Sequence, residues 1–191
     1  MMFNVILLDP PWAYNARNNP DTRFGGGAGG HYGTMTIEQI AALPIGELAS
    51  DNCAMFMWCT FPQIDKQMQL FKQWGFEYKT VAFTWIKTNP KNGKPFFGVG
   101  YYAKSNAEVC LLGIKGRMKP ISNKVSSVII SPKEKHSKKP DEARNRIVQL
   151  FGDVPRIELF ARQRCEGWTS LGNELSGKDI RTEMEELICT K

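Results

Sequence analysis

Apolar and polar positions along this chain fall into blocks whose period switches between that of a strand and that of a helix. Phe3–Leu8 is a short apolar run rich in branched residues, as in a buried strand. It stops at Asp9-Pro10-Pro11, because two prolines remove backbone donors and hold the chain extended. Ala13–Gly33 then turns to Asn, Gly, Pro and Arg, which predicts a long loop. Thr36 with Gln39 resembles a capping box, and Ile37, Ile40 and Leu43 give the short helix behind it an apolar face. Cys53–Cys59 reads as a second buried strand. Ile64, Met68 and Phe71 recur at helical spacing and predict a helix over Pro62–Trp74 that ends near Gly75. Tyr78–Ile86 is a third strand, the prolines and glycines from Pro90 to Gly100 mark a loop, and Glu108–Ile114 is a fourth strand. Past a lysine-rich stretch, Pro140 opens a helix through Arg144, Ile147, Val148 and Phe151. Arg156–Phe160 is a late strand and Lys178–Cys189 a final acidic helix.

Strands that alternate with helices predict an α/β fold with a largely parallel sheet. A length of 191 residues with 42% hydrophobic content is enough to bury the core of one domain, expected to span residues 1–191. No apolar run approaches the ~18 residues of a membrane span. The opening residues lack the basic region of a signal peptide, so a cytoplasmic protein with no membrane partner is expected. The five cysteines, odd in number and scattered, read as reduced thiols. With no C-x-x-C pair and with His31 and His136 far apart, no metal is expected.

Charge changes the picture. The net charge is +6, yet Lys115–Arg146 alone carries an excess of +7 and the remainder of the chain −1. A charge this concentrated suits a polyanionic partner, with a solvated lysine-rich loop as the alternative. Lys119, Lys124, Lys133 and Lys135 are the candidate phosphate contacts in that segment. Gly25, Gly27 and Gly30 satisfy a G-x-G-x-x-G pattern but follow a polar loop rather than a strand. They read as hinges of a loop over the site instead.

The candidate chemistry lies in Asp9-Pro10-Pro11-Trp12, at the carboxyl end of a predicted strand, where open α/β sheets place ligands. An aromatic amine such as adenine's is a poor nucleophile, because its lone pair is delocalised into the ring. Acceptors that draw its N–H bonds out of the plane make it attack. The Asp9 carboxylate and the Pro10 carbonyl offer two such acceptors side by side, and neither proline brings an N–H to compete for them. Trp12 offers a surface for stacking a base. The electrophile would be the sulfonium methyl of S-adenosyl-L-methionine, whose charge also suits Asp9. A strand-ending turn with a packed tryptophan is the alternative reading of the same four residues.

The sequence resembles the METTL-like (MT-A type) N6-adenine methyltransferases. The likeness runs from Val5 to Glu174 through ordered segments: DPPW at 9–12, HYGTMT at 31–36, MFMWCT at 55–60, WGFEY at 74–78, FTWIKTN at 83–89, EVCLLGIKG at 108–116, HSKKPDE at 136–142 and RIELFARQRCEGWTSLGNE at 156–174. It implies a Rossmann-like S-adenosylmethionine-dependent methyltransferase fold in circularly permuted order, catalytic strand first, with one antiparallel strand. It implies that Asp9, Pro10, Pro11 and Trp12 are catalytic and that Tyr32 helps close the adenine pocket. Lys139 would contact the cofactor's carboxylate, and Lys138 the substrate side. Arg162, Asn173 and Glu174 would hold the cofactor's ribose and nearby polar groups. Arg164 and Cys165 stand where the messenger-RNA enzymes have His-Asn. Compact relatives of this kind act on DNA, which is favoured here over RNA. A homodimer or a partner subunit for target recognition is expected, and a non-catalytic nucleic-acid-binding subunit is the rival reading.

Overall fold

The computed structural model describes residues 2–13, 33–98, 102–134 and 138–190. Among them, β1 (Phe3–Leu8), β2 (Ala49–Cys59), β3 (Glu77–Thr88), β4 (Ala107–Lys115), β5 (Val128–Pro132), β6 (Arg156–Leu159) and β7 (Thr169–Leu171) form one sheet in the order β5-β3-β4-β2-β1-β6-β7. Every neighbouring pair is parallel except those made by β4, which runs antiparallel between β2 and β3. The helices are α1 (Ile37–Ala41), α2 (Ile45–Leu48), α3 (Ile64–Gln73), α4 (Glu142–Phe151), α5 (Asn173–Ser176) and α6 (Ile180–Cys189). This is the Rossmann-like arrangement expected, with its single antiparallel strand. β1 is first in the chain yet sits inside the sheet, between β2 and β6.

Both faces of the sheet are covered, which explains why β1 reads as a continuous apolar run rather than an alternating one. Phe3, Ile6 and Leu8 pack toward α1, α2, α3 and α6, whereas Val5 and Leu7 pack toward α4. The Thr36–Gln39 capping box forms as predicted. So does the helical stripe behind Pro62, although a short 3-10 turn at Phe61–Gln63 precedes α3. One polar residue on that stripe has a positional use. Gln67 is fully buried and exchanges two hydrogen bonds of 2.9 Å with Thr60, its amide donating to Oγ1 and its carbonyl accepting from the backbone N–H. That pairing clamps α3 to the carboxyl end of β2, where the site lies.

Four elements were not anticipated: α2, β5, β7 and α5. α2 and α5 are single turns, and β7 is too short to show a period. β5 lies in the lysine-rich stretch on the sheet edge, with Val128 and Ile130 exposed.

Close packing between α3 and the sheet depends on Gly113 of β4. A Cβ there would lie 2.2 Å from the fully buried ring of Phe71. Gly113→Ala therefore overpacks the core, and a loss of about 1–3 kcal/mol is expected. Thermal melting checks it: Tm should fall by several degrees, since each kcal/mol shifts a domain of this size by roughly 2–4 °C.

Candidate active site

Asp9 follows the last residue of β1, and its carboxylate is partly withdrawn from water, with the side chain 24% exposed. Lys139 reaches it from the segment that leads into α4 and donates to Oδ2 at 2.8 Å. The same ammonium stands 3.2 Å from Glu108 at the start of β4, and Glu108 also pairs with Lys87 at the end of β3. Two carboxylates and two ammonium groups thus alternate across four elements, Asp9–Lys139–Glu108–Lys87. Indole faces flank the cations, with Lys139 Nζ 5.8 Å from the Trp58 ring centroid and Lys87 Nζ 5.2 Å from that of Trp85.

Burial and pairing pull these groups in different directions. Desolvation raises the Asp9 carboxyl above its ordinary value, and the Lys139 ammonium only partly offsets it. Burial alone would lower Lys139, but Asp9 and Glu108 outweigh it and hold the ammonium well above the usual lysine range. Glu108 is also desolvated, yet Lys139 and Lys87 together bring its carboxyl below the ordinary glutamate value. At neutral pH Lys139 is therefore charged, and Asp9 is the member of the chain most readily protonated.

The backbone after Asp9 differs from expectation in one respect. Two donors do engage the acceptors, one local and one distant in the chain. The chain doubles back at Pro11, so that the Trp12 N–H donates to the Pro10 carbonyl at 2.9 Å, and Lys139 already occupies Asp9 Oδ2. The prolines supply no N–H, but the residue after them does. The Pro10 oxygen keeps a second lone pair for a ligand. Met35 and Ala13 then pin the turn, Met35 N–H to Pro11 oxygen at 2.8 Å and Ala13 N–H to Met35 oxygen at 2.9 Å. Trp12 is 5% exposed, and its Nε1 donates to the Trp58 carbonyl at 3.1 Å, so it forms wall and core together.

A cavity of about 870 Å³ opens over this corner, within the ~300–1,000 Å³ range of small-molecule sites. Asp9, Pro10, Pro11, Trp12, Lys139, Arg162, Asn173 and Glu174 all line it. Arg162 Nε lies 3.5 Å from Glu174 Oε1, which joins the end of β6 to the start of α5. A second hollow of about 250 Å³ reaches Asp9 along Lys138, Arg144, Glu158 and Gln163. Lys138 is held there by Glu134 at 2.7 Å and Asp141 at 3.1 Å.

The predicted phosphate contacts do not come together. Lys119 and Lys124 flank Ile121, whose N–H bonds the Leu150 carbonyl in the last turn of α4 at 2.7 Å. They lie on the connection that leaves β4 at Lys115, opposite Cys53 at the far end of the sheet from Asp9. Lys133 follows β5 at the site end, its ammonium 4.2 Å from the Phe96 ring centroid. Tyr32, Lys135 and the glycines Gly25, Gly27 and Gly30 lie outside the described residues.

Sequence reasoning missed Glu108, Trp58 and Phe160. An acid opening the otherwise apolar strand Ala107–Lys115 was the available signal for Glu108. Phe160 lines both hollows with φ 61°, a left-handed conformation costly for an aromatic residue, and no local pattern announces it.

The site's polar groups fit an S-adenosylmethionine molecule. Lys139 suits its carboxylate, Asp9 its sulfonium, and Asn173 and Glu174 its ribose hydroxyls, all on one continuous cavity wall.

Known proteins resemble this chain over most of its length. The MT-A70 family model matches residues 3–174. The type II methyltransferase M.MunI of Mycoplasma sp is 31% identical over 195 residues, covering 93% of this chain and 80% of that protein. An MT-A70-like N(6)-adenosine-methyltransferase of Arabidopsis thaliana is 29% identical over 95% of this chain, which spans 25% of that relative. The N(6)-adenosine-methyltransferase non-catalytic subunit METTL14 of Drosophila melanogaster is 29% identical over 95% of this chain and 49% of its own length.

Glu108 links the two ion pairs, and its depressed carboxyl makes a pH prediction. Its stabilisation is fully present above the unfolded-state value of about 4.3 and is lost as pH falls through the lower folded-state value. Glu108→Gln should therefore melt below wild type at pH 7, and the gap in Tm should close on acidification. A gap that stays constant into acid would show that Glu108 does not act through its charge.

Proposed function

The chain belongs to the MT-A70 family of S-adenosylmethionine-dependent N6-adenine methyltransferases, and on that premise we propose that it methylates the exocyclic amine of adenine in DNA. The observation that carries the reading is the pairing of the Asp9 carboxylate with the Pro10 carbonyl on one cavity wall, beside Lys139. The cofactor, when bound, supplies an electrophilic methyl group on a sulfonium. Asp9 Oδ1, the oxygen that Lys139 does not hold, accepts one amine hydrogen, and the second lone pair of the Pro10 oxygen accepts the other. Both acceptors are fixed before substrate arrives, by the turn at Pro11 and by Lys139, so little reorganisation is needed during transfer. Burial has raised the Asp9 carboxyl, which suits it to take up the proton that the amine sheds.

Lys139 has two tasks. It fixes the Asp9 carboxylate through Oδ2, and it meets the cofactor's carboxylate as a compact cation. Trp12 and Trp58 wall the adenine pocket, while Arg162, Asn173 and Glu174 hold the ribose end.

The choice of DNA is supported by the coverage of the type II methyltransferase, matched over 80% of its length, against 25% for the plant adenosine methyltransferase. The likeness to a named non-catalytic subunit supports a partner chain that helps choose the target. A duplex target must expose its adenine, so mismatched or single-stranded sites should be methylated faster than paired ones.

Asp9→Asn separates chemistry from binding. The amide keeps the shape, but one of its positions donates rather than accepts. Methyl transfer should fall by roughly 10²–10⁴, while calorimetry still detects binding of the demethylated cofactor. Transfer assays on matched DNA and RNA oligonucleotides, with the modified adenines mapped, test the substrate. Near-normal turnover by the variant would sink the Asp9 assignment, and a preference for RNA would overturn the choice of DNA.

A further inference from the structure

Beyond β3, the chain folds back on itself and builds a small lobe at the same end of the sheet as Asp9. Thr88 bridges to Pro95, and the Phe96 N–H returns to the Lys87 carbonyl at 2.8 Å. Lys87 N–H bonds the Asn106 carbonyl at 2.9 Å, and Lys133 N–H bonds the Thr88 carbonyl at 3.1 Å. The Gly98 N–H meets the Ser105 carbonyl at 3.1 Å, a close approach that only glycine permits, since a Cβ there would sit 2.3 Å from that oxygen. The lobe is thus tied to the ends of β3, β4 and β5. Through the Lys87–Glu108 ion pair it is also joined to the Lys139–Asp9 corner.

Two aromatic rings of this lobe are exposed, Phe97 at 69% and Tyr102 at 97%. The sequence from 89 to 106 adds Lys91, Lys94 and Lys104 and contains no Asp or Glu. All three lysines are exposed.

Exposed rings interleaved with cations match one class of partner: an unstacked nucleic-acid strand, whose bases lie on the rings and whose phosphates meet the lysines. We propose that Phe97 and Tyr102, with Lys91, Lys94 and Lys104, form the platform that grips the single-stranded flank of the substrate. This rests on the proposed function above and names the surface that serves it. β3 is separated from β1 by β4 and β2, so at ~4.8 Å per strand the lobe begins about 14 Å to one side of Asp9. A stacked strand rises ~3.4 Å per nucleotide and an unstacked one spans more, so that distance is at most about four nucleotides of flank on one side of the target adenine.

The test is fluorescence anisotropy on the full chain with labelled single-stranded DNA carrying one central adenine, across a salt series. Phe97→Ala with Tyr102→Ala should weaken binding at least fivefold and leave the salt slope unchanged, as stacking contributes without counterion release. Lys91→Gln, Lys94→Gln and Lys104→Gln together should flatten the slope by about two, at about 0.7 per phosphate on a single strand. Removing the flank on the lobe side altogether should weaken wild type and leave the aromatic variant unaffected. All five side chains are exposed, so melting temperatures should match wild type. Unchanged affinity in both variants would overturn the platform. So would a shift in oligomeric state with oligonucleotide binding intact, which would mark the lobe as a protein contact. Absence of methyl transfer by wild type would refute the proposed function instead, since these binding measurements do not depend on turnover.

Discussion

The ion pair between Lys139 and Asp9 joins two parts of the chain that are 130 residues apart, and much else in the molecule keeps that contact in place. β1 delivers Asp9 from the interior of the sheet because its residues are apolar on both faces and are covered on both. The entry to α4 delivers Lys139, while β4 and β3 bring Glu108 and Lys87 as the balancing charges. A desolvated carboxylate at the end of a buried strand is costly to ionise. One nearby ammonium offsets part of that cost, and a second carboxylate keeps the ammonium charged. The result is an acceptor that is fixed in direction yet remains basic enough to take a proton.

The same balance organises the surroundings. Lys139 and Arg162 both line the two hollows that meet at Asp9, so the two spaces share these cations. On the far side of Asp9, Arg162 and Glu174 hold the ends of β6 and α5 together. Phe160, with its strained backbone, lines both hollows. Strain of this kind concentrates where the surroundings over-determine a conformation.

Much of this was legible in the sequence, and the reasons are specific. The strand before Asp9 shows in six apolar or amide residues ending at two prolines, and the capping box at Thr36 and Gln39 formed as written. Asp9, Lys139, Arg162, Asn173 and Glu174 were each named from motifs, and they line one cavity. The lysine run divides in space, because a charge window is linear whereas the fold sends Lys119 and Lys124 to one end of the sheet and Lys133 to the other. The donors at Pro10 and Asp9 escaped notice for a related reason. One is the backbone N–H of Trp12, brought back onto Pro10 by the turn at Pro11, and the other comes from a segment 130 residues away. β5 and β7 were missed because short edge strands carry too few residues to show a period.

The central claim is that Lys139 opposes the effect of burial on Asp9 and fixes the direction of its carboxylate. Carbon-13 NMR of the carboxyl groups reports it directly, by titrating Asp9 in wild type and in Lys139→Met. If the ammonium opposes the effect of burial, the Asp9 carboxyl, already raised in the wild type, will titrate at a distinctly higher pH in the variant. An Asp9 titration that is unmoved, or that shifts to lower pH when the ammonium is removed, would contradict the account.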